Sequence, residues 1–311
     1  MNNLTNSIKQ KALDLGFCKV GIARAERLDE EGGRLEEWLN RGYQASMAWM
    51  AKNVEKRIDP RLVLPNAKSI VAVAMNYYSP FEHSNEPDTG KISRYAWGDD
   101  YHEILQEKLK ILLEYIKQVA PTANGRYYVD TGPIMDKVWA QRAGIGWQGK
   151  HTNVITQEYG SWLFLGELIL DIELEYDPPA TDHCGDCVLC IEACPTDAIN
   201  QPYVVDSNKC ISYLTIEHRG EIALELGQHF ERWLYGCDIC QDVCPWNHKF
   251  SQPTDMQEFA PREFAKSPKL KNVLEMTQEQ FSKEFKNSPI KRTKLSGLKR
   301  NAKVLKQNEN R

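Results

Sequence analysis

The 311-residue sequence predicts a mixed α+β chain in three parts. These are an α/β sandwich over residues 1–176, a ferredoxin-like cysteine module over 177–250, and a short helical, basic segment over 251–311. Three observations carry this prediction. Strand-like apolar runs alternate with helically spaced ones up to about residue 175. Eight of the nine cysteines then fall between Cys184 and Cys244. Past residue 250, strand-like runs give way to short helical ones.

"LTNSIKQKALDLGF" has helical spacing, and "CKVGIA" reads as a short strand. "RLEEWLNRGY" is helical, whereas "SIVAVAMNYY" is a continuous apolar run of the kind covered on both faces of a sheet. Residues 79–93 are loop by composition, with Pro80, Pro87 and Gly90. "DDYHEILQEKLKILLEYIKQVA" is the clearest amphipathic helix; Asp99 or Asp100 can cap its start, and Pro121 follows its end. "RYYVD" predicts a strand that runs into "TGPIMDKVWAQRAG", a turn and then a helix, and "SWLFLGELILDIEL" is again strand-like. The two prolines of "YDPPATDH" close this first part. No internal repeat of solenoid length is visible.

The N-terminus has neither an unbroken apolar stretch nor a small-residue cleavage site, so a secretory signal is not expected. No apolar run approaches the roughly 18 residues that span a membrane. A cytoplasmic, monomeric protein is therefore expected, in which dense cysteines mean metal rather than disulfides. The net charge of −4 hides an asymmetry. Ten Lys/Arg against two Glu make residues 283–311 +8, leaving −12 for the rest. Such a basic end suits a polyanionic partner, or simply forms a solvated terminal helix.

Cys184, Cys187, Cys190 and Cys194, with Pro195, have the spacing C-x2-C-x2-C-x3-C-P. That is the bacterial ferredoxin pattern for 4Fe–4S clusters, in which the fourth cysteine serves the other cluster. Tetrahedral zinc sites prefer separated C-x2-C pairs. In the second run, Cys237-x2-Cys240-x3-Cys244-Pro245, the leading cysteine is replaced by Leu234. Cys210, at a helix start expected to be capped by Asp206, can supply the missing thiolate. Cross-ligation then assigns Cys184, Cys187, Cys190 and Cys244 to one cluster and Cys194, Cys210, Cys237 and Cys240 to the other. Cys18 is left over as a buried strand residue. A radical-SAM C-x3-C-x2-C is absent, so the clusters are expected to pass electrons.

Their destination is expected in the first part, whose densest polar stretch is "VDTGPIMDKVWAQRAGIGWQGKHTNVI" (129–155). Asp130 ends a predicted strand, where ligand groups gather in α/β folds; it is otherwise a helix cap. The glycines of "GIGWQGKH" permit close backbone approach to a ligand. Neither a dinucleotide fingerprint nor a Walker motif is present.

"SRYAWGDDYH" (93–102), the 129–155 stretch, both cysteine runs and "SPIKRTKLSGLKRNA" (288–302) together resemble epoxyqueuosine reductases over nearly the whole chain. The resemblance implies several things. The first part becomes a cobalamin-binding domain that holds its corrin without a protein histidine. The reaction implied is reduction of the epoxide of epoxyqueuosine, at the tRNA wobble base, to the alkene of queuosine. Electrons would pass through two 4Fe–4S clusters from a flavodoxin- or ferredoxin-type donor to make cob(I)alamin. Asp130 matches the family's proton donor, which requires a raised pKa to hold its proton near neutrality. Some members carry a C-terminal helical-repeat extension that this sequence lacks.

With that cofactor in mind, Arg57, Arg94, Tyr95, Asp130, Lys150, Thr152, Asn153 and Ser212 are the expected corrin contacts. Asp136 is expected to pair with Lys137, Arg142 or solvent; His102 and His218 could reach the pocket, although a helix-face histidine is more often structural. Lys291, Arg292, Lys294, Lys299 and Arg300 are the candidates for the phosphates of the anticodon stem–loop. Trp97, Trp147 and Trp246 are candidate base stackers. Two other readings stand beside this one: a reductive-dehalogenase-like corrinoid reductase of a small molecule, and a non-catalytic ferredoxin-type electron carrier.

Overall fold

In the computed structural model, which describes residues 2–309, the first part opens with α1 (Asn2–Asp14), β1 (Lys19–Arg24), α2 (Asp29–Asn40) and α3 (Val54–Ile58). Then come β2 (Ser69–Asn76), the short β3 (Lys91–Ile92), α4 (Tyr101–Val119), β4 (Gly125–Tyr128) and α5 (Asp136–Arg142). A small ribbon of β5 (Trp147–Gln148) and β6 (Val154–Ile155) precedes β7 (Leu163–Leu170). The main sheet has the order β1-β2-β7-β4, and every pairing in it is antiparallel.

All eight residues of β2 are buried, because helices cover both faces of this antiparallel sheet. Period-2 alternation sends Val71, Val73 and Leu168 into a core shared with α1 and α4. It sends Ile70, Ala72 and Ile169 to the opposite face, against Trp139 and Ala140 of α5. Helix α5 comes so close that a Cβ on Gly21 would lie 1.9 Å from the Ala143 carbonyl oxygen. The Asp100 side chain accepts from the His102 backbone N–H and caps α4.

The cysteine module adds α6 (Leu189–Glu192), α7 (Ile211–Ile216), α8 (Leu224–Gly227), β8 (Trp233–Tyr235), α9 (Ile239–Asp242) and α10 (Pro245–Phe250). Asp206 does not cap α7: Cys210 is its N-cap residue, and the Asp206 carboxylate accepts from Asn208 instead. The C-terminal part holds α11 (Glu263–Lys266), α12 (Leu270–Glu275), α13 (Gln278–Glu284) and α14 (Lys294–Glu309).

The expected boundaries at 176 and 250 are not the edges of separate cores. One core joins Ile92 and Trp97 to Leu214, Trp233 and Tyr235, and to Leu298, Ala302 and Leu305. Strands β3 and β8 pair in parallel across the same junction. The basic end is therefore no frayed, solvated helix. Asn301 of α14 is fully buried and donates to the Thr215 and Leu234 carbonyls. Arg311, counted in that end, lies outside the described residues. No described helix is long and apolar enough to cross a membrane.

Candidate active site and cluster ligands

Asp130 lies just past edge strand β4 with φ +57°, a left-handed conformation that Asp tolerates better than most residues. It is not a helix cap, since α5 has Met135 at its N-cap position. Its side chain turns to the first turn of α4. Tyr101 Oη donates to Asp130 Oδ2 at 3.0 Å, and His102 Nε2 lies 3.6 Å from the same oxygen. The other ring nitrogen, His102 Nδ1, is 2.7 Å from Asp100 Oδ1. His102, within reach of the pocket though a helix-face histidine is more often structural, stands beside Asp130.

This geometry reverses the expected protonation of Asp130. The neighbouring His102 imidazole outweighs burial and holds the Asp130 carboxyl below the usual carboxylate range. Burial alone would lower the His102 pKa, yet hydrogen bonds and charge from Asp100 and Asp130 carry it up to about 9. Although 67 % of the Asp130 side chain is open to the cleft, protein crowds it on several sides. The proton resides on the imidazole.

Asp136 also departs from expectation. Arg142 pairs with Glu26 and Glu31, and Lys137 Nζ donates to Asn153 Oδ1 at 3.1 Å. Asp136 instead accepts weakly from the Asp130 backbone N–H at 3.4 Å and faces Glu167 on β7. Arg57 reaches over the Asp130 loop, its guanidinium 3.4 Å from the Gly132 carbonyl.

Two cavities meet here. An outer cleft of about 1090 Å³ is lined by Trp38, Trp49, Arg57, Asp130, Asp136 and Lys137. An inner cavity of about 330 Å³ carries Tyr95, Thr152, Asn153 and Ser212 on its walls, with Cys194, Cys210, Cys237 and Cys240. Tyr101, Leu163 and Phe164 line both. Five of the expected corrin contacts besides Asp130 therefore border one or other of two cavities that have these three residues as a common wall.

Arg94 and Lys150 line neither cavity. Arg94 Nη1 is 2.7 Å from Asp242 and 3.3 Å from the fully buried Asp238, so it braces the second cysteine run. Lys150 Nζ donates to the Gly185 carbonyl at 2.6 Å, beside Cys184. Both cations are spent where the cysteine module meets the sandwich.

No cysteine forms a disulfide. Burial, then the charges of Cys244, Cys184 and Cys187, pushes Cys190 up to about 11. Cys240 is raised well up by burial and then by Cys210, with Cys190 and Cys194 contributing. Cys237 answers to burial, Cys240 and Cys210. Cys190 thus neighbours Cys184, Cys187 and Cys244, while Cys240 neighbours Cys210, Cys194 and also Cys190, so the two groups of thiols adjoin. Crowded thiolates repel one another unless a cationic core sits among them, so the donors fit iron–sulfur clusters. Among the described residues, no three His, Cys, Asp or Glu converge on a single metal ion. A cube with iron at four corners needs its thiolates spread wider than that.

The RNA candidates divide. Lys291, Arg292 and Lys294 are exposed and Lys299 is half-buried. Arg292 pairs with Glu217 and stacks over Trp49, with 5.5 Å from its guanidinium carbon to the ring centre. Arg300 is structural: its guanidinium donates to the carbonyls of Leu214, His218 and Gly220 and to Asn301. Trp97 and Trp147 are buried in cores, and Trp246 packs on Trp147 near Cys184 and Cys244. None of the three lines the cleft. Trp38 and Trp49 do, and "MAWMA" (47–51), apolar in a surface segment, was the sequence signal for Trp49. His218 is structural, as expected; its Nε2 meets the Glu221 carbonyl.

Fold and site define an iron–sulfur oxidoreductase, an α/β sandwich joined to a two-cluster module. Residues 57–131 match the family model described as "Epoxyqueuosine reductase QueG, DUF1730", and residues 183–247 match the "4Fe-4S double cluster binding domain". The chain is 51% identical over 286 residues to the epoxyqueuosine reductase of Synechocystis sp., covering 91% of this chain and 98% of that one. It is 42% identical to that of Escherichia coli K12, covering 94% of this chain and 78% of the relative. A crystal structure of epoxyqueuosine reductase with an epoxyqueuosine-modified tRNA-Tyr stem loop superposes with TM-score 0.92 at 34% identity, covering 99% of this chain and 82% of that one. The enzyme from Bacillus subtilis, solved with its catalytic aspartate loop swung out of the active site, superposes with TM-score 0.92 at 32% identity, with the same coverage. The chain belongs to the epoxyqueuosine reductase family.

Proposed function

We propose that this reductase converts epoxyqueuosine to queuosine at the wobble position of tRNA, with cobalamin held where the two cavities meet. One observation carries the reading: the His102–Asp130 pair faces an open cleft that shares Tyr101 with the cavity walled by Cys194, Cys210, Cys237 and Cys240. A proton source and an electron source thereby address one space.

The residues present fit a corrin. The Nε2 of His151 is buried without a hydrogen-bond partner, while its Nδ1 accepts from the Asn153 N–H, so Nε2 carries a proton and is a donor. With Thr152, Asn153, Ser212 and Tyr95, it offers hydrogen bonds to a ring bordered by amides; Arg57 is placed on the outer side. Burial lowers the His151 pKa to about 4, which keeps the ring neutral. When bound, cobalamin supplies a low-potential cobalt centre able to attack or reduce an epoxide.

The chain's own contribution is the proton. His102 Nε2 holds it, and Asp130 Oδ2, bridged to His102 and steadied by Tyr101, passes it to the departing epoxide oxygen. Trp49 and Arg292 at the mouth suit a splayed base and its phosphate, and Lys291 and Lys294 extend the basic edge. Cys187 is the exposed ligand of the outer set, so a flavodoxin- or ferredoxin-type donor would meet a monomer there.

Membership of a reductase family replaces the electron-carrier reading, and no observation favours a small-molecule substrate. The test is anaerobic reconstitution with iron, sulfide and cobalamin, then mass analysis of an epoxyqueuosine-bearing anticodon fragment treated with reductant. Loss of one oxygen, dependent on cobalamin, is the expected result. Full iron loading with an unchanged fragment would overturn the proposal.

A further inference from the structure

Glu167 sits inside β7, paired across the sheet with Ala72 and Tyr128, and is fully buried. Neither carboxyl oxygen meets a hydrogen-bond donor among the described residues while Glu167 and Asp136 are both ionised, and neither reaches solvent. A carboxylate so placed would be charged with no water and no bonded cation, so the neutral acid is the form this site accepts. Alternation puts Glu167 on the face of Leu165 and Ile169, toward α5, and Leu165 lines the outer cleft.

From α5, Asp136 faces Glu167, and Asp136 Oδ1 accepts from the Asp130 backbone N–H at 3.4 Å. Three acidic residues, Glu167, Asp136 and Asp130, therefore follow one another from sheet to cleft, Asp136 touching the Asp130 backbone and the Asp130 carboxyl turned on to α4. The charged groups around them are Arg57 from α3, Lys137 from α5 and His102 from α4. His102 forms an ion pair with the outermost carboxyl, and Tyr101 donates to it. Burial, with its neighbours' charge, raises Glu167 well above the usual range; burial raises Asp136 too, while Asp130 is lowered. The inner end of the row is neutral and the outer end is ionised.

We propose that the buried Glu167 and the cleft-lining Asp136 form an acid pair that shares a proton behind Asp130, a reserve for the second proton of the reduction. This rests on the function proposed above. Turning an epoxide into an alkene and water consumes two electrons and two protons, and the reductase activity supplies the electrons. The His102–Asp130 pair provides the first proton. For the second, the Glu167 O–H bond breaks, the Asp136 carboxylate takes that proton, and Asp130 receives one from Asp136. Glu167 stays ionised until the cleft reprotonates the row. Glu167 acts through Asp136 and so is a positioning residue.

The first measurement needs no turnover: infrared spectroscopy of the cluster-loaded protein near neutral pH. A neutral carboxylic-acid carbonyl band, lost in Glu167→Gln, is expected; no such band overturns the acid pair. The amide of Glu167→Gln keeps the size and neutrality of the acid but releases no proton. It is expected to keep iron content and KM while kcat falls roughly 10²-fold, the low end for a positioned proton donor. A packing role alone would leave kcat unchanged, which overturns the reserve. Should Glu167→Gln not fold, Asp136→Asn reads the same way: kcat falls with the acid band retained, or the reserve is overturned. Wild-type protein that shows the band but removes no oxygen sinks the functional reading and leaves the acid pair. An active enzyme without the band does the opposite.

Discussion

His102 Nε2 lies 3.6 Å from Asp130 Oδ2, an ion pair between the first turn of α4 and the loop after β4. Its partners place the site's proton on the imidazole, and this has a consequence for stability. The His102 pKa is raised from 6.5 to about 9, so its contribution is complete below pH 6.5 and is lost as pH rises through about 9. Asp130 is lowered from 3.8, so its contribution is present above that value and is lost as pH falls through the lowered one. Denaturant midpoints of wild type and His102→Gln should therefore converge as pH climbs from 6.5 to 9. Because Asp130 is 67 % exposed, added salt should shrink the difference. A gap that persists above pH 9 would remove the ion pair as its cause.

Asp130→Asn should fold normally, since Asn tolerates a φ of +57° as well as Asp does. It cannot pass a proton on, so the initial rate of oxygen loss from the modified base should drop about 10²–10⁴-fold. Wild-type rates with clusters intact would take Asp130 out of the mechanism.

Arg94 answers to stability rather than to cofactor binding. It is 12% exposed, bridges Asp238 and Asp242, and has the Trp97 and Trp162 rings beside it. Arg94→Ala leaves Asp238 buried without its cation, which costs about 3–5 kcal/mol. Denaturation should show this loss together with lower iron content. Arg94→Lys should restore only part of it, because a point charge bridges two carboxylates less well than a guanidinium. Undiminished stability with lost cobalamin would instead return Arg94 to the corrin.

Cys210 and Cys18 are opposite controls. Cys210→Ser should remove about half the iron and one of two cluster signals in electron paramagnetic resonance, since it ligates one cube only. Cys18, whose thiol is pushed up to about 12 by burial and donates to the Ala74 carbonyl, should be replaceable by Ser with both clusters retained. Equal iron in the two variants would break the cross-ligated assignment.

Much of the architecture was legible in local pattern. The apolar run at 69–76 and the amphipathic stretch at 101–119 became β2 and α4, because strand and helix periods are set by neighbours a few residues apart. The cysteine sets were legible too: a ligand loop is short, and its spacing carries its geometry. Asp130 stands out by its match to the family's proton donor; its place at a strand end alone leaves a helix cap equally open. Glu167 had a signal that went unread, one acid inside an otherwise apolar strand.

What the sequence alone determined, then, is the local elements, with the spacing that leads us to propose the cluster donors and the acid. Tertiary structure decided where charge goes. Whether an arginine meets a corrin, an RNA phosphate or a buried carboxylate depends on residues far along the chain, and packing sent Arg94 to Asp238 and Arg300 to backbone carbonyls. The same packing set His102 against Asp130 and left Glu167 without a cation or donor, giving the proton to the imidazole at one end of the row and keeping it on the carboxyl at the other. A side chain's protonation follows from its burial and its neighbours, and both exist only once the chain has folded.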